Sequence, residues 1–243
     1  MTLRTFTKRL LTFTPYRLSR TASNRFDGIE ECLRQLARGG YRPRCIIDGG
    51  AHLGWFARCA RAVFPGAEIH LVDPQPACAP TLQRLAETPG FHFHPVALTS
   101  ERKIARMVCD SGPDTGAHVA WDGNLHRANT DVQGETLDSL FASHVDADSR
   151  ALLKLDLQGH ELLALAGGRQ ILKHVEVVLA EFSFFGQLGE APVSDLVRFM
   201  DEAGFDLFDI ASVAGRRRDG RARHGDFVFA RRNTPLWTDR GWE

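Results

Sequence analysis

The sequence predicts a doubly wound α/β fold, and three observations carry that prediction. Short runs that are apolar at consecutive positions alternate with segments of helical periodicity. Several of the runs end in an acid followed by a glycine or proline. The chain has 243 residues, 43% of them hydrophobic and 25% charged, enough to bury a sizeable core without a disulfide or metal staple. Strands that are apolar on both faces call for a parallel sheet, covered by helices on both sides and joined by right-handed crossovers.

The first helix is expected in FDGIEECLRQLARGG, where Ile29, Leu33 and Leu36 share a face and Gly39-Gly40 supply the stop. Cys45-Ile46-Ile47 begins the first strand, DGGAHLG follows as a turn, and Leu53 to Val63 has helical spacing before Pro65-Gly66. Ile69 to Val72 is the second strand, ending at Asp73-Pro74, with a helix through Thr81 to Ala86. Phe91 to Leu98 reads as the third strand, Leu152 to Asp156 as the fourth and Val175 to Phe182 as the fifth. A helix from about Glu161 to Leu172 separates the last two, and another spans Pro192 to Ala203. FDLFDIASV and GDFVFAR flank AGRRRDGRARH, which predicts an antiparallel hairpin at one edge of the sheet. The expected layout is a basic arm over 1–24, one domain over 25–235 with an irregular insertion at about 99–145, and a tail over 236–243.

Thirty Lys and Arg balance thirty Asp and Glu, which argues against a dedicated nucleic-acid partner. Five scattered cysteines without a C-x-x-C pair read as reduced thiols and a cytoplasmic setting. No run approaches a transmembrane span. Six basic residues and no acid precede Phe26, so a loose basic arm is expected, with weak peripheral contact to a membrane as its other use. The oligomeric state is not readable from the sequence.

Ligands of doubly wound sheets bind outside the carboxyl ends of the strands, which makes Asp48, Asp73, Asp156 and Glu181 the chemical candidates. The small residues of DGGAHLG permit close backbone approach and open a helix. A carboxylate at Asp48 would repel a pyrophosphate and suit a cationic ligand. S-adenosylmethionine carries an ammonium and a sulfonium, and its ribose diol calls for an acceptor such as Asp73, 25 residues on. The alternative is that Asp48 caps the turn and Asp73 only begins an Asp-Pro turn. His92 and His94 alternate as metal ligands can, but no Cys or acid triad completes a site, and no metal is expected.

The combination IIDGGAHLG, LVDPQP, TLDSL, LLKLDLQGHELLALAGG, VVLAEF and DFVFAR, spread over Arg44 to Arg232, resembles the FkbM-type methyltransferases of the class I superfamily that use S-adenosylmethionine. The resemblance implies a mostly parallel, seven-stranded Rossmann-like sheet of order 3-2-1-4-5-7-6, and methyl transfer to a hydroxyl of a saccharide, glycan or related secondary metabolite. It implies that Asp48, Gly49, Gly50, His52, Gly54 and Asp73 form the cofactor pocket, and that Asp156 and Glu161 face the transfer site. His52 stands where the family commonly has Asn, Asp73 where it often has Glu, and Gln158-Gly159-His160 where it has Glu-Gly-Ala.

Lys154 and Asp156 share one strand face and are expected to pair, with Asp156 orienting or deprotonating the acceptor, or else forming a purely structural ion pair. His160 is a candidate base or a helix-surface residue, Glu161 a substrate contact or a dipole-complementing acid, and Glu181 a catalytic acceptor or a buried structural acid. Trp121 and His126 are candidates to stack on a sugar, and the arginines from Arg216 to Arg223 offer forks to an anionic acceptor or form a solvated tip. Two other functions compete. A non-catalytic module keeping the nucleoside pocket is one; a Rossmann oxidoreductase or nucleotide-sugar enzyme is the other, weakened by the lack of G-x-G-x-x-G and of a Tyr-x-x-x-Lys pair.

Overall fold

The computed structural model describes residues 25–185, 191–216 and 218–238. The expected basic arm, 1–24, and most of the tail lie outside the described residues. Helix α1 (Arg25–Arg38) leads into β1 (Cys45–Gly49), α2 (Trp55–Val63), β2 (Glu68–Val72), α3 (Ala79–Ala86) and β3 (Phe91–His94). After a second, smaller sheet come α4 (Leu137–Phe141), β8 (Ala151–Leu155), α5 (Glu161–Ala166), β9 (Val175–Ser183), α6 (Val193–Glu202), β10 (Phe205–Gly215) and β11 (Ala222–Arg231).

The main sheet has seven strands in the order β3-β2-β1-β8-β9-β11-β10, the order expected. Pairing is parallel from β3 to β9, and β11 runs antiparallel to both β9 and β10. Consecutive residues of a strand face opposite layers. Ile46, Ile69, Leu152 and Val177 pack with Leu33, Phe56 and Leu82 under α1, α2 and α3. Ile47, Leu153, Val178 and Phe229 pack with Phe141, Leu165 and Met200 under α4, α5 and α6. The two-sided burial of β1 and β8 accounts for their unbroken apolar runs.

Three local features differ from the sequence reading. The third strand breaks at Pro95: β3 stays in the main sheet, whereas Ala97–Leu98 (β4) joins the smaller one. Proline has no N–H to give the ladder. The helix expected to reach Leu172 stops at Ala166, since Gly167 and Gly168 follow and a Cβ on Gly167 would lie 2.4 Å from the Thr99 carbonyl oxygen. The insertion expected to be irregular forms a four-stranded sheet of order β4-β7-β5-β6, with β5 (Lys103–Val108), β6 (His118–Val119) and β7 (Thr130–Glu135) around Ala97, Ala105, Met107 and Val132. The TLDSL motif is structural here. Thr136 and Ser139 form a capping box at the start of α4, and Asp138 accepts the amides of Gln170 and Ile171. No described helix is long and apolar enough to cross a membrane.

Candidate active site

The turn after β1 is built by left-handed backbone. Gly50 has φ 74° and Gly54 φ 75°, and a Cβ on Gly50 would lie 1.9 Å from the Asp156 carbonyl oxygen. Only glycine meets both demands at position 50. The Gly50 and Ala51 amides donate to the Val72 carbonyl, which stitches the turn to the end of β2. There Asp73 accepts from the His52 amide at 2.7 Å and from the Gln75 amide at 2.9 Å. Burial raises the Asp73 pKa, and these two amides work against that rise.

A cleft opens above this turn. Gly50, His52, Asp73, Lys154, Asp156 and His160, six of the expected site residues, line it together. Its apolar walls come from Phe26, Trp55, Leu98 and Met107, with the Phe26 and Trp55 rings 4.5 Å apart. The segment 114–119 of the smaller sheet closes one side, tied down where the Asp114 amide donates to the Gln75 side chain.

Asp48 does not guard the entrance, contrary to expectation. It is 0% exposed, and the Lys154 ammonium lies 3.0 Å from it. Lys154 also donates to the carbonyls of Gly49 and Gly50 and is 4.0 Å from Asp156. The expected Lys154 and Asp156 pair is therefore secondary to the Asp48 pair. Burial opposes the ammonium, but Asp48 and Asp156 prevail and hold its pKa above the usual value. Gly49 packs on Leu155 and Leu98, and Gly54 on Leu85, so both shape the turn from behind.

Asp156 is held from elsewhere. Arg25 donates to it at 2.9 Å, and the Gln158 amide bridges Asp156 at 2.8 Å and Glu181 at 3.0 Å. A Glu at 158, the commoner family residue, would place a third acid where this chain has a donor. Arg25 also bonds Asp226 with two nitrogens and lies 3.4 Å from Glu181, while His224 stands 3.7 Å from Glu181. Burial would raise the Asp156 pKa, yet Lys154, the hydrogen bond with Glu181 and Arg25 bring it well below the usual range. Glu181 goes the other way: burial first, then the neighbouring Asp156, push it up to about 9. The two shifts run in opposite directions, Asp156 toward the charged form and Glu181 toward the protonated one.

His160 begins α5 as a buried, cleft-lining residue, not a surface one. Its Nδ1 has no hydrogen-bond partner among the described residues, and burial lowers its pKa to about 4. Glu161 does not face the cleft. It is buried and accepts the amides of Leu157 at 2.7 Å and Gly159 at 3.1 Å, holding the loop after β8. Trp121 stacks on His118, which does line the cleft, whereas His126 is exposed away from it. Among the described residues no group of three His, Cys, Asp or Glu is disposed to hold a metal ion. Sequence reasoning missed Arg25, His118 and Asp226. In the sequence Arg25 counts with the basic residues of the N-terminus, although it falls at the first position of the expected domain, 25–235.

Solved structures similar to this chain include a methyltransferase FkbM from Methylobacillus flagellatus KT, at 14% identity and TM-score 0.46, covering 76% of this chain and 43% of that one. WbdD, crystallised with the kinase inhibitor LY294002, matches at 15% identity and TM-score 0.50 over 87% of this chain and 41% of that one. A Burkholderia thailandensis 1,6-didemethyltoxoflavin-N1-methyltransferase with bound 1,6-didemethyltoxoflavin and S-adenosylhomocysteine matches at 14% identity and TM-score 0.44, covering 85% and 78%. At such identities the likeness concerns the fold, and this chain spans less than half the length of the first two. No curated protein matches it. The profile of the methyltransferase FkbM domain matches residues 48–207, from the acid beneath the glycine turn through the first residues of β10, and the chain belongs to the FkbM methyltransferase family.

Proposed function

We propose that this methyltransferase uses S-adenosylmethionine to methylate a hydroxyl of a saccharide, glycan or related secondary metabolite. The residues present fit that cofactor. Asp73 lines the cleft as an acceptor for a ribose diol, the Gly50 backbone leaves no Cβ in the way, and Leu98 and Met107 offer apolar surface to a purine. S-adenosylmethionine supplies an electrophilic sulfonium methyl when bound. The carboxylate at Asp48 supports the turn from beneath and makes no direct contact with the cleft, so ligand choice rests on Asp73 and the carbonyls around it.

One observation carries the reading: Asp156 lines the same cleft as Asp73, beside Glu181, to which the Gln158 amide bridges it. Methyl transfer is an in-line displacement, so alignment of the acceptor oxygen supplies most of the acceleration. Asp156 accepts a hydrogen bond from that hydroxyl and draws off its proton as attack proceeds. His160, which burial keeps neutral, also lines the cleft and is the second candidate to contact the acceptor. Calorimetric titration with S-adenosylmethionine, followed by labelled-methyl transfer to a glycan extract and to a panel of amines, tests the reading. Saturable binding with label recovered on oxygen is expected. Absence of binding, or label on nitrogen alone, overturns it.

A further inference from the structure

The carboxylates of Asp156, Glu181 and Asp226 come from β8, β9 and β11, yet one side chain from the first helix joins them. The Arg25 guanidinium spreads its donors over all three. Nε and Nη2 grip Asp226 at 2.9 and 2.7 Å, Nη2 also reaches Asp156 at 2.9 Å, and Nη1 stands 3.4 Å from Glu181. Arg25 belongs to a firmly seated element. Ile29, Cys32, Leu33 and Leu36 of α1 are buried in the core, and Gly28 lies so close to β10 that a Cβ there would be 2.1 Å from the Ala211 carbonyl oxygen.

Asp226 is 1% exposed and also receives the Ser212 hydroxyl, so it is an anchor with no face toward an acceptor. Asp156, by contrast, lines the cleft. The charged and titratable groups around it are Lys154 on its own strand, Glu181 on β9, His224 and Asp226 on β11, and Arg25 on α1. Lys154 is committed to Asp48 and the glycine carbonyls, which leaves Arg25 as the cation closest to Asp156. Arg25, Ser212, His224 and Asp226 all lie outside residues 48–207, the stretch matched by the family profile.

We propose that Arg25 is a positioning residue for methyl transfer: anchored on Asp226, it fixes the orientation and charge of Asp156 at the cleft, so that helix α1 completes the site. The family region supplies the acid, and α1 supplies the group that aims it. A planar fork suits this task because it bonds two carboxylates at fixed angles, which an ammonium cannot. The inference rests on the assignment of Asp156 to the acceptor side, and its test reads a quantity that exists without any acceptor.

Arg25→Ala, Arg25→Lys and Asp226→Asn are made in the full chain, and the carboxyl carbons of Asp156 and Glu181 are followed by NMR across pH. Removal of a cation beside a carboxylate favours the protonated form, so Asp156 in Arg25→Ala is expected to titrate at least one unit higher. Arg25→Lys restores part of that shift; Asp226→Asn takes away a neighbouring anion and shifts the titration downward, while kcat still falls because Arg25 loses its anchor. With an acceptor in hand, kcat of Arg25→Ala falls about 10- to 100-fold and its acid limb moves up in pH, while the KM for S-adenosylmethionine changes less. An unchanged Asp156 titration in folded Arg25→Ala overturns the proposal, leaving Arg25 as a tether of α1; if Arg25→Ala does not fold, the same result in Arg25→Gln does so. Failure of labelled-methyl transfer in the wild type, with the titration shift present, would remove the O-methyl reading and keep the positioning.

Discussion

Two buried groups of charges lie within a few residues of each other along β8, and they differ in how they are closed. Beneath the glycine turn, Asp48 and Lys154 are direct partners in the register of β1 and β8, one anion against one cation, with Asp48 sealed from the cleft and Lys154 reaching its wall. At the end of β8, Asp156 is bridged to Glu181 by Gln158 and held by Arg25. That second group has three acids and one arginine, it is assembled from four elements, and one of its acids faces the cleft. A balanced pair whose acid is enclosed does structural work. An excess of acid at a cavity wall leaves a place to put a proton, which is what acceptor activation needs.

The largest effect that would break this contrast is in turnover. Asp156→Asn removes the cleft-facing acid and keeps its shape, so turnover should fall about 10²- to 10⁴-fold while affinity for S-adenosylmethionine stays within about threefold. Steady-state rates beside calorimetry check this. A variant with full turnover would make the second group as structural as the first.

The first group answers to stability. Lys154→Met leaves the Asp48 carboxylate enclosed without its cation, and breaking a buried pair in this way costs about 3–5 kcal/mol. Denaturant unfolding measures it. Asp48→Asn combined with Lys154→Met should recover much of the loss, because no uncompensated charge then remains. If the double variant is no better than the single one, Lys154 matters for its bonds to the Gly49 and Gly50 carbonyls and not for Asp48.

The same contrast shows what the sequence could reveal. The glycine turn, Asp73 and the central strands were legible because each depends on local pattern: an apolar run, a small-residue turn and an acid at the run's end. The partner of Lys154 was misread for a geometric reason. Residues two apart on a strand are about 6.6 Å apart, whereas neighbouring strands lie about 4.8 Å apart, so the cross-strand acid wins over the same-strand one. Choosing Asp48 required the register of β1 on β8, which no single strand encodes. Arg25 and Asp226 were further out of reach, separated by 201 positions and brought together only by the packing of α1 on β10. His160 was readable as a histidine near the site, but its burial depends on the smaller sheet closing over the cleft, and that sheet was expected to be irregular.

Asp73→Ala probes the end of the cleft proposed for the cofactor and should act on neither group. Losing a charged acceptor costs about 1.5–3 kcal/mol of binding, or roughly 10- to 100-fold in affinity for S-adenosylmethionine, and stability falls by about 1–3 kcal/mol as well because the His52 and Gln75 amides lose their acceptor, so affinity is read on protein shown to be folded. Calorimetry decides; affinity equal to that of the wild type would remove Asp73 from the cofactor site.

The smallest effect separates the acid group from a third cluster, the histidines around buried His70 on β2. His70 stacks on His92 at 4.9 Å, meets His94 at 3.1 Å and lies beside His144 and Phe141. Burial, then His94 and His92, lower its pKa from 6.5 to about 3. The unfolded chain therefore binds more protons at this residue, so its contribution is full above pH 6.5 and falls as pH drops toward 3. Glu181 has the opposite sign: its pKa rises from 4.5 to about 9, and its contribution is full below pH 4.5 and lost as pH climbs toward 9. Between pH 4.5 and 6.5 the two slopes oppose each other, so the wild-type stability curve alone assigns neither. His70→Phe should remove a decline of about 1–2 kcal/mol between pH 6.5 and 5, and Glu181→Gln should flatten the loss above pH 6.5. Unfolding curves for both variants across pH 5–8 make the test. If Glu181→Gln retains the wild-type slope above pH 6.5, the acid group does not hold its proton at neutral pH, and its distinction from the closed Asp48 and Lys154 pair fails on the point that matters for chemistry.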